Sequence, residues 1–411
     1  MGRVVEAELS AMKKRENAII GAIFLFWFSV YTYPSFLSSY AETTLGASSV
    51  MTGLIVGSYG FVQMALRIPL GILSDVTRKR KIYIMMGFGA SMLASAGLAL
   101  VALLAGHATG SLAALALVFR GFAGAAAASW VTLSVFYSAH YPPERTAEAM
   151  SKIVFPQYFS QVIAMLLGAF IMNELGAQWA FLLATAAGLA GLLFIARMDD
   201  IPPEGEPFTV KSFVSVAKDK NLITGSVLAI LFMLVSWSTV LGFVQNWAKV
   251  YVSGFTSAYL GILPVMYLLP NAVVSRFTGR LSLRLGRSLV LTGGFLLLGA
   301  ACLFYPWARS LPLLFANQIL FGVGMGLIVP LTMAASIETI PGDRRGAAMG
   351  VYQAVYGVGM FLGPVAAGKV IEAFSADGVL YAGYAANFRM CAGIAFLGAA
   401  VAWLLTRGRK R

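Results

Sequence analysis

Charge is what this sequence has least of. Across 411 residues there are 30 Lys or Arg and 17 Asp or Glu, so charged side chains make up 11% of the chain. A soluble domain carries about 25%, because polar groups must cover its water-facing surface. Cysteine is nearly absent: Cys302 and Cys391 each stand alone in an apolar run. That excludes a disulfide framework and a thiolate metal cluster. The two histidines, His107 and His140, are far apart in sequence, and no Asn-x-Ser/Thr acceptor site occurs. What is abundant is apolar: hydrophobic residues make up 59% and the mean hydropathy is +0.80. The solvent for most of this surface is lipid. The net charge of +13 then reads as loop asymmetry across a membrane, and no nucleic-acid partner is expected.

A helix crossing a hydrocarbon core of ~30 Å needs about 20 mostly apolar residues. Uncharged runs of that length occupy 17–41, 43–66, 82–106, 153–173, 175–196, 221–248, 250–275, 288–308, 310–337 and 346–368. Two further spans hold one charge each: Ser111 to His140 with Arg120, and Tyr381 to Leu405 with Arg389. The expected fold is all-α and integral to the membrane, with twelve transmembrane helices. Strands are excluded because the runs lack a period of two and an open sheet leaves its edges unsatisfied in lipid. The first run follows Lys13-Lys14-Arg15, as a signal peptide would. At 25 residues it exceeds the roughly 7–15 of a cleavable apolar region, so a retained helix is expected.

With the N-terminus inside, 24 of the 30 Lys and Arg fall in cytoplasmic segments and only Lys249, Arg309 and Lys369 near outer ends. Both termini are therefore expected in the cytoplasm, with the chain in the plasma membrane.

The loops repeat. Gly71-Ile-Leu-Ser-Asp75 and a basic cluster follow the second span, and Gly279-Arg-Leu-Ser-Leu283 with Arg284 and Arg287 follows the eighth, 208 residues later. Pro142-Pro-Glu144-Arg145 follows the fourth span and Pro341-Gly-Asp-Arg344 the tenth, 199 residues later. Six helices duplicated as six are implied: a bundle over 1–197, a polar linker over 198–221 and a second bundle over 222–411. The later part of the linker, Phe208 to Lys220, mixes apolar and basic residues, as a segment lying on an anionic membrane surface does; a plain flexible linker fits equally.

These features resemble the major facilitator superfamily across essentially the whole chain. Gly71-Ile-Leu-Ser-Asp75-Val-Thr-Arg78-Lys79-Arg80 is similar to the family's Gly-x-x-x-Asp-Arg-x-Gly-Arg-Arg/Lys loop, with Val76 in place of Arg and Arg78 in place of Gly. Arg120-Gly-Phe-Ala-Gly124 is similar to the Arg-x-x-x-Gly motif of the drug/proton antiporter branch. That branch's Gly-Pro motif is missing from the fifth span, which offers only Gly168. Gly359, Gly363, Pro364 and Gly368 stand instead in the eleventh, as hinge or packing positions. The resemblance implies alternating access, two bundles rocking about a midplane site. It also implies that Asp75 docks on the start of the eleventh span near Gly346, where helix dipoles favour an anion. Arg78, Lys79 and Arg80 would pair with Glu144.

Arg120 is the sharpest single signal. Nine residues from Ser111 place it ~14 Å deep, where an arginine costs at least ~2.5 kcal/mol. It is expected to face the interior and meet carbonyls, water or a substrate anion. Arg67 and Arg389 are expected to snorkel toward the two surfaces. Tyr31, Gln63, Gln161, Trp237, Tyr267, Gln353 and Tyr356 are the other polar or aromatic candidates for a cavity wall suited to amphipathic ligands. No carboxylate lies at mid-depth, which favours anionic or neutral substrates. It also leaves proton coupling to Glu42, Asp75 or Glu338. Gly363 to Lys369 approximates a phosphate loop, but Val370 stands where Ser or Thr is required. Gly322, Gly324 and Gly326 are expected to serve close packing.

The leading expectation is a monomeric secondary transporter exporting small amphipathic molecules, with protons as a candidate coupling ion and lipid as surroundings. The alternatives are an importer or exchanger of organic anions using Arg120, and, more remotely, a non-transporting sensor. No cofactor is expected. An enzyme would need a buried nucleophile with its base, or a metal cluster, and the sequence has neither pattern.

Overall fold

The computed structural model describes residues 2–105, 112–138, 146–200, 215–341, 344–375 and 380–406. It is helical throughout. Twelve helical segments are long and apolar enough to span a membrane: Glu16–Thr43, Ser49–Ser74, Arg80–Leu104, Leu112–Tyr137, Lys152–Glu174, Ala177–Ala196, Lys220–Tyr251, Ser257–Leu285, Arg287–Trp307, Leu311–Ala335, Ala347–Phe374 and Tyr381–Thr406. Each matches a charge-poor stretch of sequence, because in lipid every backbone N–H and C=O must be paired within its own helix. Among the described residues the only strand-like feature is an isolated parallel bridge between Ser253 and Ser310. The expected linker over 198–221 lies mostly outside the described residues. So does Glu144, and so does the side chain of Asp75, whose backbone ends the helix Ser49–Val76.

Polar residues mark the helix starts. Ser48 accepts from the Met51 amide at 3.3 Å, ahead of the second span. Asp219 accepts from Asn221 and Leu222, both at 2.9 Å, ahead of the seventh. Each occupies one of the amides that a helix N-terminus leaves without a partner.

Three spans are not the plain helices that their sequences imply. The first is interrupted at Thr32 and Tyr33, just before Pro34, and resumes as Pro34–Thr43. Pro34 has no N–H to give the Val30 carbonyl and its ring crowds that carbonyl, so the break has a local cause. The seventh widens into a π-helical turn at Thr239–Phe243, with no proline to account for it. The fourth is interrupted at Ser129. Advanced by the 208-residue repeat, positions 32 and 33 fall on 240 and 241, inside the π turn. The two halves therefore bend their first helices at equivalent points.

The halves meet along one face only. Call the end of the bundle where the first span begins the terminal side, and the opposite end the far side. The second and eleventh spans touch from the far side inward. Gly53 lies against the Pro364 carbonyl, Gly57 against the Phe361 carbonyl, Gly60 against Met360, and Gly357 against Met64. At Gly53, Gly57 and Gly60 an added Cβ would come within 3.0 Å of the other half's atoms, so side chains are excluded where the backbones approach. Farther toward the terminal side, a Cβ at Gly71 or Gly350 meets nothing within 4 Å. There the second half has a separate apolar core around Val216, Leu222, Ala229, Ala348, Val351 and Tyr352. The far seam is closed, and the two spans diverge from it toward the terminal side.

Hydrogen bonds knit the same far seam. Ser38 donates to Asn246 Oδ1 at 3.1 Å, and Gln245 Nε2 to the Pro34 carbonyl at 3.2 Å. Tyr384 donates to Glu42 at 3.1 Å, and the Val50 amide to Glu372 at 2.8 Å. The terminal side is braced within each half instead: Lys152 pairs with Glu16 at 3.1 Å, and Arg287 holds Glu338 through two bonds at 2.7 and 2.5 Å.

The loop after the second span holds a strained residue. Arg78, standing where the family pattern has Gly, keeps a left-handed backbone with φ of 54°. Side chains disfavour that region by ~1–2 kcal/mol, and glycine does not. Arg78 and Lys79 are exposed and Arg80 is buried, so the cluster does not act as one charged face. Arg78→Gly is expected to stabilise the protein by about 1 kcal/mol and to raise Tm slightly in detergent. Arg78→Val should lower it.

Candidate functional site

At the centre, close to the bends of the first and seventh spans, lies a small enclosed cavity lined by Tyr31, Pro34, Leu37, Val56, Arg120, Trp237 and Leu241. Its volume of about 10 Å³ is room for about one water, so a larger molecule enters only when the walls part. Both halves contribute to it, and the bends explain how. Interrupting a helix at Thr32 and Tyr33 re-aims Tyr31 and Tyr33, and the π turn sets Trp237 and Leu241 on the opposite wall. Paired interruptions at equivalent positions of two repeats are where transporters place their binding groups.

Arg120 dominates the cavity. It is only 3% exposed, and its guanidinium lies 4.6 Å from the Tyr59 ring centroid and 5.2 Å from that of Tyr33. Each desolvated cation–π contact supplies up to about 2 kcal/mol, which offsets part of the cost of burying the charge. The ring faces hold the guanidinium, and the Tyr33 hydroxyl stands close enough to interact with its N–H groups. Among the described residues Nε and Nη1 have no hydrogen-bond partner and no carboxylate pairs with the guanidinium. Tyr59 is in turn stacked on Trp237 of the other half, centroids 5.4 Å apart and planes inclined by 17°. The result is a buried, aromatic-walled guanidinium with unused donors.

Gly124, one turn along from Arg120, lets the fourth span close onto the second: its Cβ position falls on the Tyr59 carbonyl and 3.1 Å from the Gln63 amide. The Arg-x-x-x-Gly spacing is thus a packing device that delivers Arg120 to the Tyr59 ring. Gly359 and Gly363 sit against Ile230, Met233 and Leu234 of the seventh span. Gly368 opposes Ser49 across the far seam, and Pro364 is accommodated within a continuous helix. The same continuity removes the phosphate-loop reading of 363–369. Gly322, Gly324 and Gly326 face Tyr267, Leu298 and Val274 at helix crossings.

The other expected residues divide. Tyr31 and Trp237 line the cavity. Gln63 is 4% exposed with an unpartnered Oε1, one turn from Tyr59 toward the terminal side. Gln353 also has an unpartnered Oε1, and Tyr356 packs edge-on against Tyr352 at 5.3 Å; both lie beyond the seam on the terminal side. Gln161 and Tyr267 are buried, at 5% and 2%, but neither lines the cavity. Arg67 does not snorkel. It is 2% exposed and donates through Nη2 to the Ala127 carbonyl at 2.9 Å. Arg389 is exposed. Glu42, placed by sequence in an outer position, is partly buried in the far seam, where Ser49 and Tyr384 donate to it and Asn246 and Glu372 stand close by. Sequence reasoning missed Tyr33, Tyr59, Pro34, Leu37, Val56 and Leu241. Of these only Pro34 carried a signal, as a helix breaker in an uncharged run.

The Major Facilitator Superfamily profile matches residues 19–265 and 253–411. The chain belongs to this superfamily. An uncharacterized MFS-type transporter of Methanocaldococcus jannaschii is 23% identical over 374 residues, covering 85% of this chain and 91% of that protein. The multidrug transporter MdtP of Bacillus subtilis is 26% identical over 165 residues, covering 40% of this chain and 30% of that protein. Among solved structures, the nucleoside transporter NupG shares the fold with a TM-score of 0.76 at 15% identity, covering 96% of this chain and 100% of that one. The chain is a secondary transporter of the superfamily's type, and its substrate is a small molecule.

Gly124→Val should be poorly tolerated. Its side chain would strike the second span's backbone, which costs about 1–3 kcal/mol and moves Arg120 off the Tyr59 ring. A Tm lowered by several degrees, alongside a Gly71→Ala variant unchanged within error, is the expected result.

Proposed function

We propose that this transporter exports small amphipathic organic anions across the cell membrane, with Arg120 as the counter-charge of the central site. The observation that carries the reading is the Arg120 guanidinium, buried between two tyrosine rings with free donors and, among the described residues, no carboxylate partner. An uncompensated buried charge is expensive, and a bound carboxylate, sulfonate or phosphate removes that cost. The flat walls of Tyr31, Tyr59 and Trp237 suit an aromatic or aliphatic body attached to the anion. A cationic substrate would meet repulsion at the same point. The export direction draws support from the partial similarity to a multidrug transporter.

The terminal side is taken as cytoplasmic, from the 24-to-3 distribution of Lys and Arg. In the described state, substrate then approaches from the cytoplasm while the far seam is shut. Bundles 1–197 and 222–411 rock about the centre, joined by the linker 198–221. The paired bends at 32–33 and 239–243 let the outer ends of the first and seventh spans move apart. Gly71, Asp75, Arg78, Lys79, Arg80 and Glu144 form the cytoplasmic gate that closes in exchange. With no acid at mid-depth, proton coupling, if used, runs through acids at the span ends.

The test is flux in proteoliposomes under an imposed pH gradient, with anionic, neutral and cationic amphipaths supplied in turn. Wild type should move the anions, and Arg120→Ala should lose about a hundredfold or more of that flux at unchanged expression. Arg120→Lys should retain part of it. Equal transport of cations, unaffected by Arg120→Ala, would refute the assignment. Accompanying proton movement would show the coupling ion.

A further inference from the structure

The second span carries a polar stripe at helical spacing: Tyr59, Gln63 and Arg67, four residues apart and on one face. The fourth span meets it rung by rung. Arg120 lies on Tyr59, Gly124 on the Gln63 backbone, and the Ala127 carbonyl on Arg67. Arg67 is therefore a second buried guanidinium on the same wall. It lies two turns beyond Tyr59 toward the terminal side, a rise of ~12 Å.

Its surroundings are those of a site with unfilled capacity. Arg67 is 2% exposed and donates to the Ala127 carbonyl, and among the described residues Nε and Nη1 have no partner and no carboxylate pairs with it. A structural tie to one carbonyl needs one donor, and a serine or glutamine supplies that without five N–H groups and a positive charge. Arg67 lies three residues past Met64, which packs against Gly357 of the other half. From the other half Tyr356 comes within electrostatic range of Arg67, and Gln353, on the same face of its helix, carries an amide whose N–H2 can donate to an anion. Gln63, between the two arginines, carries a second such amide.

We propose that Arg67 is a second oxyanion-binding station, on the terminal side of Arg120, completed by Tyr356 and Gln353 of the opposite half. It would take the carboxylate, sulfonate or phosphate of an organic anion before that group reaches Arg120. The proposal rests on the reading that the pathway carries organic anions. It adds that the path holds two successive anion sites separated by about 12 Å, the one at Arg67 bridging the halves. An anion there neutralises the guanidinium and offers the tyrosine hydroxyl an acceptor. That draws the terminal sides of the second and eleventh spans together.

The experiment is saturation binding of radiolabelled benzenesulfonate, ionised at every working pH, to the full-length protein in detergent. Benzenesulfonamide serves as the neutral control. Wild type is expected to bind two equivalents, Arg120→Gln and Arg67→Gln one each, and the double variant none. Arg67→Met is measured beside Arg67→Gln, so that either neutral variant that folds decides. Arg67→Lys keeps the charge but not the spare donors and should weaken the second site at least tenfold; should neither neutral variant fold, it decides alone. Wild-type stoichiometry and affinity in the Arg67 variants, with binding lost in Arg120→Gln, would overturn this proposal and leave the central site standing. Binding indifferent to both arginines, or equal binding of the sulfonamide, would overturn the anion reading itself.

Discussion

A guanidinium at the centre of a bilayer has to be held without being neutralised, and much of this structure follows from that requirement. No acid is available at that depth, so the protein uses ring faces. Tyr33 and Tyr59 flank Arg120, and placing those rings constrains the backbone. The first span bends at Thr32 and Tyr33, which sets Tyr33 beside the charge. The fourth span carries glycine at 124, which brings Tyr59 within reach. Trp237 is delivered by a seventh span that widens into a π turn two residues later, and it closes the stack from the other half. A local electrostatic problem is thus solved by irregularities in three helices.

The two ends of the inter-half contact are built from different materials. On the far side the approach is backbone to backbone, through Gly53, Gly57 and Gly60, with Asn246, Gln245, Glu42 and Glu372 adding polar contacts. On the terminal side the described ion pairs stay within each half, as at Arg287 with Glu338 and Lys152 with Glu16. That asymmetry describes a transporter shut on one face. The helices that separate on the terminal side are the same two that seal the far side, so rotation about their middle exchanges one opening for the other.

The sequence was legible wherever a single residue type answers to a single solvent. Ten charge-free runs and two with a single arginine marked twelve spans, because lipid penalises each charge and each unpaired amide alike. Arg120 stood out for the same reason. Orientation within a span was much less legible. A helix apolar on every side gives little indication of which face looks inward, so Gln161 and Tyr267 were placed on the wall although they pack elsewhere. Tyr33 and Tyr59 passed as two aromatics among many. Arg67 was read as an anchor from its distance to Asp75, whereas the carbonyl exposed near the break at Ser129 gives it a buried partner. The π turn left no trace in composition. The equivalence of the two bends emerged only when the structure was laid over the 208-residue repeat.

The glycine seam also determines where this protein can change. A contact made of backbone tolerates almost no side chain, so the closing surface is fixed in shape and indifferent to cargo. The cavity wall is made of side chains on the same helices, a few residues away. Tyr31, Val56 or Leu241 can be exchanged for larger or smaller groups without placing a side chain between the backbones at Gly53, Gly57 and Gly60. Closure and cargo preference are thereby physically separable, and a lineage can retune one while inheriting the other intact.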